Sequence, residues 1–138
     1  MSPRACALLV LLALAGCQTD SRQQILATSR SQVEMRSIST RAFDTPDRLR
    51  VLRASLAALQ DLGFVIDRAD DTLGTISATK LQGYVLRLTV TVRPRGARQT
   101  VVRVSGQYNM EEMADAEPFR HFFEALEQAL FLNAQAID

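Results

Sequence analysis

The sequence predicts an α+β fold, in which an antiparallel sheet of about five strands carries two amphipathic helices packed on one face. The clearest observation is the alternation of apolar and polar residues over 84–93, which is typical of a strand with one buried face. Leucines within 49–59 and phenylalanines within 119–131 recur at three- and four-residue spacing, which predicts two helices with one apolar stripe each. The resulting order is β-α-β-β-β-β-α.

The first two predicted elements are a strand over Val33–Phe43 and a helix behind it. The strand alternates imperfectly, which indicates a bulge or an edge position. Asp44 or Thr45 can cap the helix, and Pro46 suits its first turn. The predicted stripe consists of Leu49, Leu52, Leu56 and Leu59. Gly63 can adopt the left-handed conformation that ends a helix.

Four further strands and a last helix complete the predicted domain. The strands are Phe64–Asp67, Leu73–Leu81, Tyr84–Arg93 and Gln99–Tyr108. Between them, turns are predicted at Asp70-Asp71, Gln82-Gly83 and Pro94–Ala97. Asp115 and Pro118 open the last helix. Its apolar positions are Phe119, Phe122, Phe123, Leu126, Leu130 and Phe131.

The N-terminus has the features of a secretory signal. Arg4 supplies the positive charge, and the run Ala5–Ala15 contains no charged residue. As a helix this run is about 16 Å long, too short for about 30 Å of hydrocarbon, so it indicates a signal peptide rather than a membrane span. Leu14-Ala15-Gly16-Cys17 resembles the lipobox of bacterial lipoproteins at all four positions.

The lipobox resemblance implies that residues 1–16 are removed and that Cys17 carries diacylglycerol and an N-terminal acyl chain such as palmitate. Two or more chains hold a protein stably on a bilayer. Gln18 stands where inner-membrane lipoproteins of enterobacteria have Asp, so the implied location is the periplasmic side of the outer membrane. Residues 17–32 are polar and are interpreted as the lipidated N-terminus and a flexible tether; residues 33–138 are interpreted as a single domain.

Charge and cysteine content argue against a disulfide-stabilised protein and against a nucleic-acid-binding protein. Cys6 is lost with the signal and Cys17 carries lipid, so no disulfide is expected. The signal removes one basic residue, Arg4, from 16 basic and 15 acidic residues, which leaves a formal charge near zero. That balance predicts no general attraction to nucleic acid.

The only histidine, His121, lies on the last predicted helix near Glu117 and Glu124. His121 is interpreted either as a metal ligand or general base, or as a surface side chain that interacts with charged residues one turn away on the helix. The second is favoured because a lone histidine without cysteine partners rarely forms a metal site.

Asp67, Asp70 and Asp71 are either a carboxylate cluster or a solvated turn. The turn is favoured because the spacing and the glycine of a calcium loop are absent from this stretch. The sequence also contains neither a glycine-framed nucleophile nor a phosphate-binding loop. We therefore expect no enzymatic activity, no metal and no cofactor.

The segment Leu81–Met110 is basic throughout. It contains five arginines and no acidic residue: Arg87, Arg93, Arg95, Arg98 and Arg103. Arg87, Arg93 and Arg103 are the candidate partner-binding residues, because the arginine fork suits an acidic protein face, lipopolysaccharide phosphate or a peptidoglycan carboxylate. The alternative is that these side chains pair with acids of the same domain, or simply keep the sheet soluble.

Three stretches, Phe43–Thr45, Leu59–Phe64 and Leu73–Lys80, resemble a group of small proteobacterial outer-membrane lipoproteins. The predicted topology is also similar to the helix-grip modules of the BamC lipoproteins of the β-barrel assembly machinery. Neither resemblance offers a motif from which catalytic or binding residues transfer.

These observations together predict a membrane-anchored, non-enzymatic interaction module. The expected role is that of an accessory subunit of an envelope assembly or transport complex, with an envelope protein as partner. The alternative is a small-ligand binding lipoprotein that holds lipid or glycan between the sheet and the C-terminal helix, where Phe119, Phe122 and Phe123 would line a groove.

Overall fold

The computed structural model describes residues 31–135 and the side chains of residues 31–132. The chain divides into two units, Met1–Glu34 and Met35–Asp138. The predicted signal peptide 1–16, Cys17 and the tether as far as residue 30 lie outside the described residues. The second unit is the predicted α+β domain, and the predicted fold class is confirmed.

The sheet contains six strands, all of them antiparallel to their neighbours. Its strands are β1 Thr40–Phe43, β2 Val65–Asp70, β3 Thr75–Leu81, β4 Val85–Arg95, β5 Gln99–Tyr108 and β6 Glu111–Glu112. Their spatial order is β1-β5-β4-β3-β2, with the short β6 also paired to β5. Helix α1, Arg48–Asp61, joins the two edge strands, and helix α2, Glu117–Gln135, follows β6.

Alternate side chains of the central strands meet the two helices in one core. The sheet contributes Ile76, Ala78, Leu86, Leu88, Val90, Val92, Val102 and Val104, all buried. Helix α1 contributes Val51, Leu52, Ala54, Ala58 and Leu59, and α2 contributes Phe119, Phe122, Phe123 and Leu126. The period-2 pattern of β4 and the helical stripes therefore meet on one face of the sheet, the covered face, as the sequence predicts.

The predicted strand over Val33–Phe43 is wrong for most of its length. Residues 31–39 are helical, and only Thr40–Phe43 form β1. Met35 packs against the core and Ser39 is buried, whereas Ile38 between them is 36 % exposed. The two inward residues are four apart, which is helical spacing, and this explains why the alternation expected of a strand is imperfect there.

Details of both helices also differ from the prediction. Asp47, rather than Asp44 or Thr45, caps α1, and its Oδ1 accepts from the amide of Arg50 at 2.9 Å. Leu49 is 40 % exposed and lies off the buried stripe, as does Phe131 on α2 at 61 %. A stripe counted from leucines alone misses the small residues that actually face the sheet.

A segment without regular structure closes the core beside β5. Met113, just after β6, is 1 % exposed and donates its amide to the carbonyl oxygen of Gly106 at 2.9 Å. A Cβ at Gly106 would lie 2.5 Å from Met113 Cε and 3.0 Å from Leu88 Cδ2. The absence of a side chain at Gly106 is therefore what lets Met113 lie flat on the sheet.

Two positively charged side chains connect the helices to the sheet. Arg41 on β1 forms an ion pair with Glu127 of α2, and its guanidinium lies 4.7 Å from the ring centre of Phe123. Lys80 on β3 donates to the carbonyl oxygen of Leu62 at 2.8 Å, just beyond the end of α1. This contact satisfies a carbonyl group at the negative end of the helix dipole.

Candidate functional site

Neither α1 nor α2 covers the second face of the sheet, which we call the open face. The outward side chains of β3, β4 and β5 form it: Thr75, Ser77, Thr79, Leu81, Val85, Arg87, Thr89, Thr91, Arg93, Arg95, Gln99, Val101, Arg103, Ser105 and Gln107. Apart from Leu81, Val85 and Val101, all of them are polar or charged. The face follows directly from the strand period, since each outward residue alternates with a buried one.

The register fixes where the three candidate arginines stand on this face. Arg93 lies opposite Val101, and Arg103 lies opposite Thr91, so Arg93 and Arg103 are diagonal neighbours on adjacent strands. Diagonal pairs are about 7–8 Å apart, within reach of long side chains. Arg87 lies opposite Gln107, toward the other end of the same two strands. The structure therefore brings all three predicted residues onto one face.

The arginines of the open face are exposed and lack acidic partners among the described residues. The guanidinium groups of Arg87 and Arg93 make neither a hydrogen bond nor an ion pair to any residue of 31–132. Arg103 has only a contact of 3.4 Å from its Nε to Thr40 Oγ1. The alternative in which these side chains pair with acids of the same domain is therefore not what the described residues show.

The acidic residues of the sheet lie on its other strands: Asp67 and Asp70 on β2, and Glu111 and Glu112 on the short β6, where Glu112 lies opposite Gln107 of the open face. Asp67 accepts a hydrogen bond of 2.6 Å from the hydroxyl of Thr79, and Asp70 lies 3.8 Å from Arg68. Asp70 also accepts from the amide of Leu73 at 2.8 Å, within the turn. Asp67 lies within strand β2 rather than in a solvated turn, and Asp70 supports the turn that follows β2, so both carboxylates have local structural roles. The outward charged residues of β4 and β5 are all arginines.

The other candidate residues do not assemble into a reactive centre. His121 is half exposed on α2, with Nε2 3.8 Å from Glu117 Oε1 one turn away. The described side chains include no group of three His, Cys, Asp or Glu residues arranged to hold a metal ion. Within residues 31–135, no helix has both the length and the apolar composition needed to cross a bilayer.

The three phenylalanines proposed to line a ligand groove are core residues. Phe119, Phe122 and Phe123 are at most 2 % exposed, and the rings of Phe122 and Phe123 form an edge-to-face pair at 5.3 Å. They fill the space between α2 and the sheet. The groove hypothesis therefore gains no support from the residues on which it was based.

Sequence reasoning missed an aromatic pair at one end of the sheet. The rings of Tyr84 and Tyr108 meet edge to face at 5.2 Å, and Met110, in the turn after β5, is 92 % exposed. Burial, followed by repulsion from Asp115, raises the pKa of Tyr108 above its ordinary value. The alternation predicts that Tyr84 and Tyr108 belong to strands, but the contact between their rings depends on the register of β4 and β5, which local patterns do not specify.

The comparisons with known proteins leave the family open. No family model matches the chain, and no curated protein is similar to it. The resemblance to small proteobacterial lipoproteins and to the BamC modules accordingly stays a prediction.

Proposed function

We propose that this protein is an outer-membrane lipoprotein of the periplasmic side, anchored through Cys17. In this proposal the domain is a non-enzymatic interaction module that binds an acidic surface of an envelope protein, as an accessory subunit of an assembly or transport complex. The open face with Arg87, Arg93 and Arg103 is the docking surface.

The observation that carries the proposal is the set of unneutralised arginines on an uncovered sheet face. Opposite-charge pairs between neighbouring strands stabilise a sheet, so a sheet selected for stability alone would place acids among these arginines. Arg93 and Arg103 instead stand diagonally adjacent without a carboxylate partner in residues 31–132. A partner surface rich in Asp and Glu is the complement that such a face attracts.

The size of the open face favours a protein partner and a weak contact. Three strands at about 4.8 Å and about eight residues at roughly 3.4 Å give on the order of 400 Å². A stable complex buries about 800 Å² per partner, so this face alone supports a transient contact or one site within a larger assembly. A membrane anchor raises the effective concentration of both components, which compensates for modest affinity.

The docking surface is tested by crosslinking and pull-down of the acylated protein from membranes. Arg87→Glu/Arg103→Glu reverses the charge of the open face, and we expect it to abolish the specific crosslinks. Arg53→Glu/Arg120→Glu is the matched control, since both side chains are exposed on the helices and the net charge changes by the same amount. Partners unchanged by the first variant, or lost equally with both, would overturn the docking surface.

The test also separates the other anionic partners. Crosslinks to lipopolysaccharide or peptidoglycan, lost with the open-face variant alone, would keep the surface and replace the protein partner. The anchor has its own experiment, in which Cys17→Ala should release the protein from the membrane fraction into the soluble periplasm. A variant that stays in the membrane fraction would contradict lipidation at Cys17.

A further inference from the structure

A depression lies at the loop between β4 and β5, at the end of the sheet where β1 passes into α1. It has a volume of about 620 Å³ and is lined by Asp44, Arg95, Ala97, Arg98 and Gln99. The depression is open to solvent, so a ligand would be held there by its charged and polar groups rather than by enclosure. The proposed docking arginines do not line it.

The local sequence explains how these side chains come together. Arg95 and Gln99 are paired across the hairpin, and Gly96 takes the positive φ of +61° on which the tight connection depends. Gln99 then donates from Nε2 to Asp44 Oδ1 at 2.6 Å, which holds the residue after β1 against the start of β5. The hairpin and the β1–α1 connection therefore form the two sides of the depression.

The side chains that line this depression carry a net positive charge and make few contacts with the rest of the domain. The guanidinium groups of Arg95 and Arg98 make no hydrogen bond or ion pair to any described residue, and both residues are exposed. Asp44 makes only the hydrogen bond from Gln99, so a carboxylate oxygen remains available as an acceptor. The depression offers two guanidinium groups beside one carboxylate.

We propose that this depression binds the phosphate monoester of a sugar or another polyol. Arginine forks bind phosphate oxygens through paired, charge-assisted hydrogen bonds, which assigns Arg95 and Arg98 to the phosphate. Asp44 accepts hydrogen bonds but repels anions, so it is suited to a hydroxyl group of the same ligand. A simple anion would use the arginines alone, whereas a phosphorylated polyol uses all three groups.

Arg95 follows the docking residue Arg93 by two positions on β4, so this site borders the open face, but the variants that test the two proposals change different arginines. Arg95 and Arg98 can bind a ligand whether or not Arg87 and Arg103 bind a protein. Conversely, an intact docking surface requires no ligand in the depression.

The test is isothermal titration calorimetry of the full chain in a neutral detergent at fixed ionic strength. The probes are glucose 6-phosphate, inorganic phosphate and glucose. We expect glucose 6-phosphate to bind about tenfold more tightly than phosphate, since it adds hydrogen bonds to Asp44, and glucose not to bind measurably. Equal heats for glucose 6-phosphate and a matched concentration of sodium sulfate would overturn the proposal.

Substitutions test which side chains of the depression bind the ligand. Arg95→Ala/Arg98→Ala should weaken glucose 6-phosphate binding by about tenfold or more, while the control Arg53→Ala/Arg120→Ala should not change it. Asp44→Asn should retain phosphate binding and lose the preference for the sugar phosphate. Binding that survives the double arginine variant contradicts the site, and an unchanged preference in Asp44→Asn contradicts the role of the carboxylate.

A last arm distinguishes a free ligand from a lipid headgroup. Phosphatidylcholine vesicles with and without lipid A, which carries phosphorylated sugars, are tested for binding to the chain and for displacement by glucose 6-phosphate. Displaceable binding that requires Arg95 and Arg98 assigns the phosphate to a glycolipid. Binding of glucose 6-phosphate without vesicle binding assigns it to a soluble ligand, and failure of both overturns the proposal.

Discussion

The contact between Gly106 and Met113 makes a quantitative prediction about stability. Met113 is 1 % exposed, and burial of this kind makes truncation to alanine cost about 2–5 kcal/mol through lost transfer energy and a cavity. In Gly106→Ala, the new Cβ would lie 2.5 Å from Met113 Cε. Overpacking of this size costs about 1–3 kcal/mol. If the two changes were independent, their combined cost would be about 3–8 kcal/mol.

We expect the double variant Gly106→Ala/Met113→Ala to be far less destabilised than that sum. The methyl added at position 106 occupies part of the space that the methionine leaves, so the two changes compensate each other. The coupling should be at least about 1 kcal/mol, as is usual for residues in contact. Urea unfolding followed by circular dichroism measures all three variants against the wild type. Effects that add to within about 0.5 kcal/mol would refute this packing.

Three further predictions concern single groups. Lys80→Met should lower the free energy of unfolding by about 1 kcal/mol in thermal denaturation, because the carbonyl of Leu62 loses a charged donor; Lys80→Arg, which keeps a donor, should lose less. Gly74→Ala should cost more than about 1 kcal/mol in the same assay, because its φ is +68° and a Cβ would lie 2.3 Å from a carbonyl oxygen of β4. The pKa of Tyr108 lies above 10.0, so its neutral form is favoured in the folded state and stability is lost as the pH rises from about 10 through that raised pKa. Tyr108→Phe should remove that loss in alkaline unfolding, and Asp115→Asn should lower the absorbance midpoint at 295 nm.

The sequence predicts correctly those elements in which one whole side is apolar and buried in the core. The alternation over β4 places Leu86, Leu88, Val90 and Val92 inward, and all four are buried. The same period puts Arg87 and Arg93 on the opposite face, so the candidate surface could be predicted from sequence. The helix over 31–39 could not, because its inward side is only Met35 and Ser39, too few residues to set a period.

The depression at the hairpin could not be predicted, because it depends on strand register. Asp44 and Gln99 are 55 positions apart in the chain and meet only because β1 pairs with the beginning of β5. The sequence showed Arg95 and Arg98 as part of a basic run but gave no sign of the carboxylate beside them. Contacts of this kind require the order of the strands, which local patterns do not specify.

A final prediction separates a binding role of the open face from a role in solubility. Val101 lies directly opposite Arg93 and two residues from Arg103 on the same face. Val101→Glu therefore puts a carboxylate beside both arginines without removing either one, and such cross-strand pairs stabilise a sheet by about 0.2–1 kcal/mol. If the arginines serve only to keep the sheet soluble, this variant should be as stable as the wild type or more so, and equally competent in crosslinking.

If the arginines bind an acidic partner, Val101→Glu should become more stable while its crosslinks are lost, because the new carboxylate competes for the same guanidinium groups. Val101→Gln is the control, since it has a similar size and polarity without the charge and should retain the partner. Thermal denaturation and crosslinking of both variants give the two readouts. Loss of stability together with loss of crosslinks would mean that the sheet itself had been disturbed, and full retention of crosslinks would remove the open face as the docking surface.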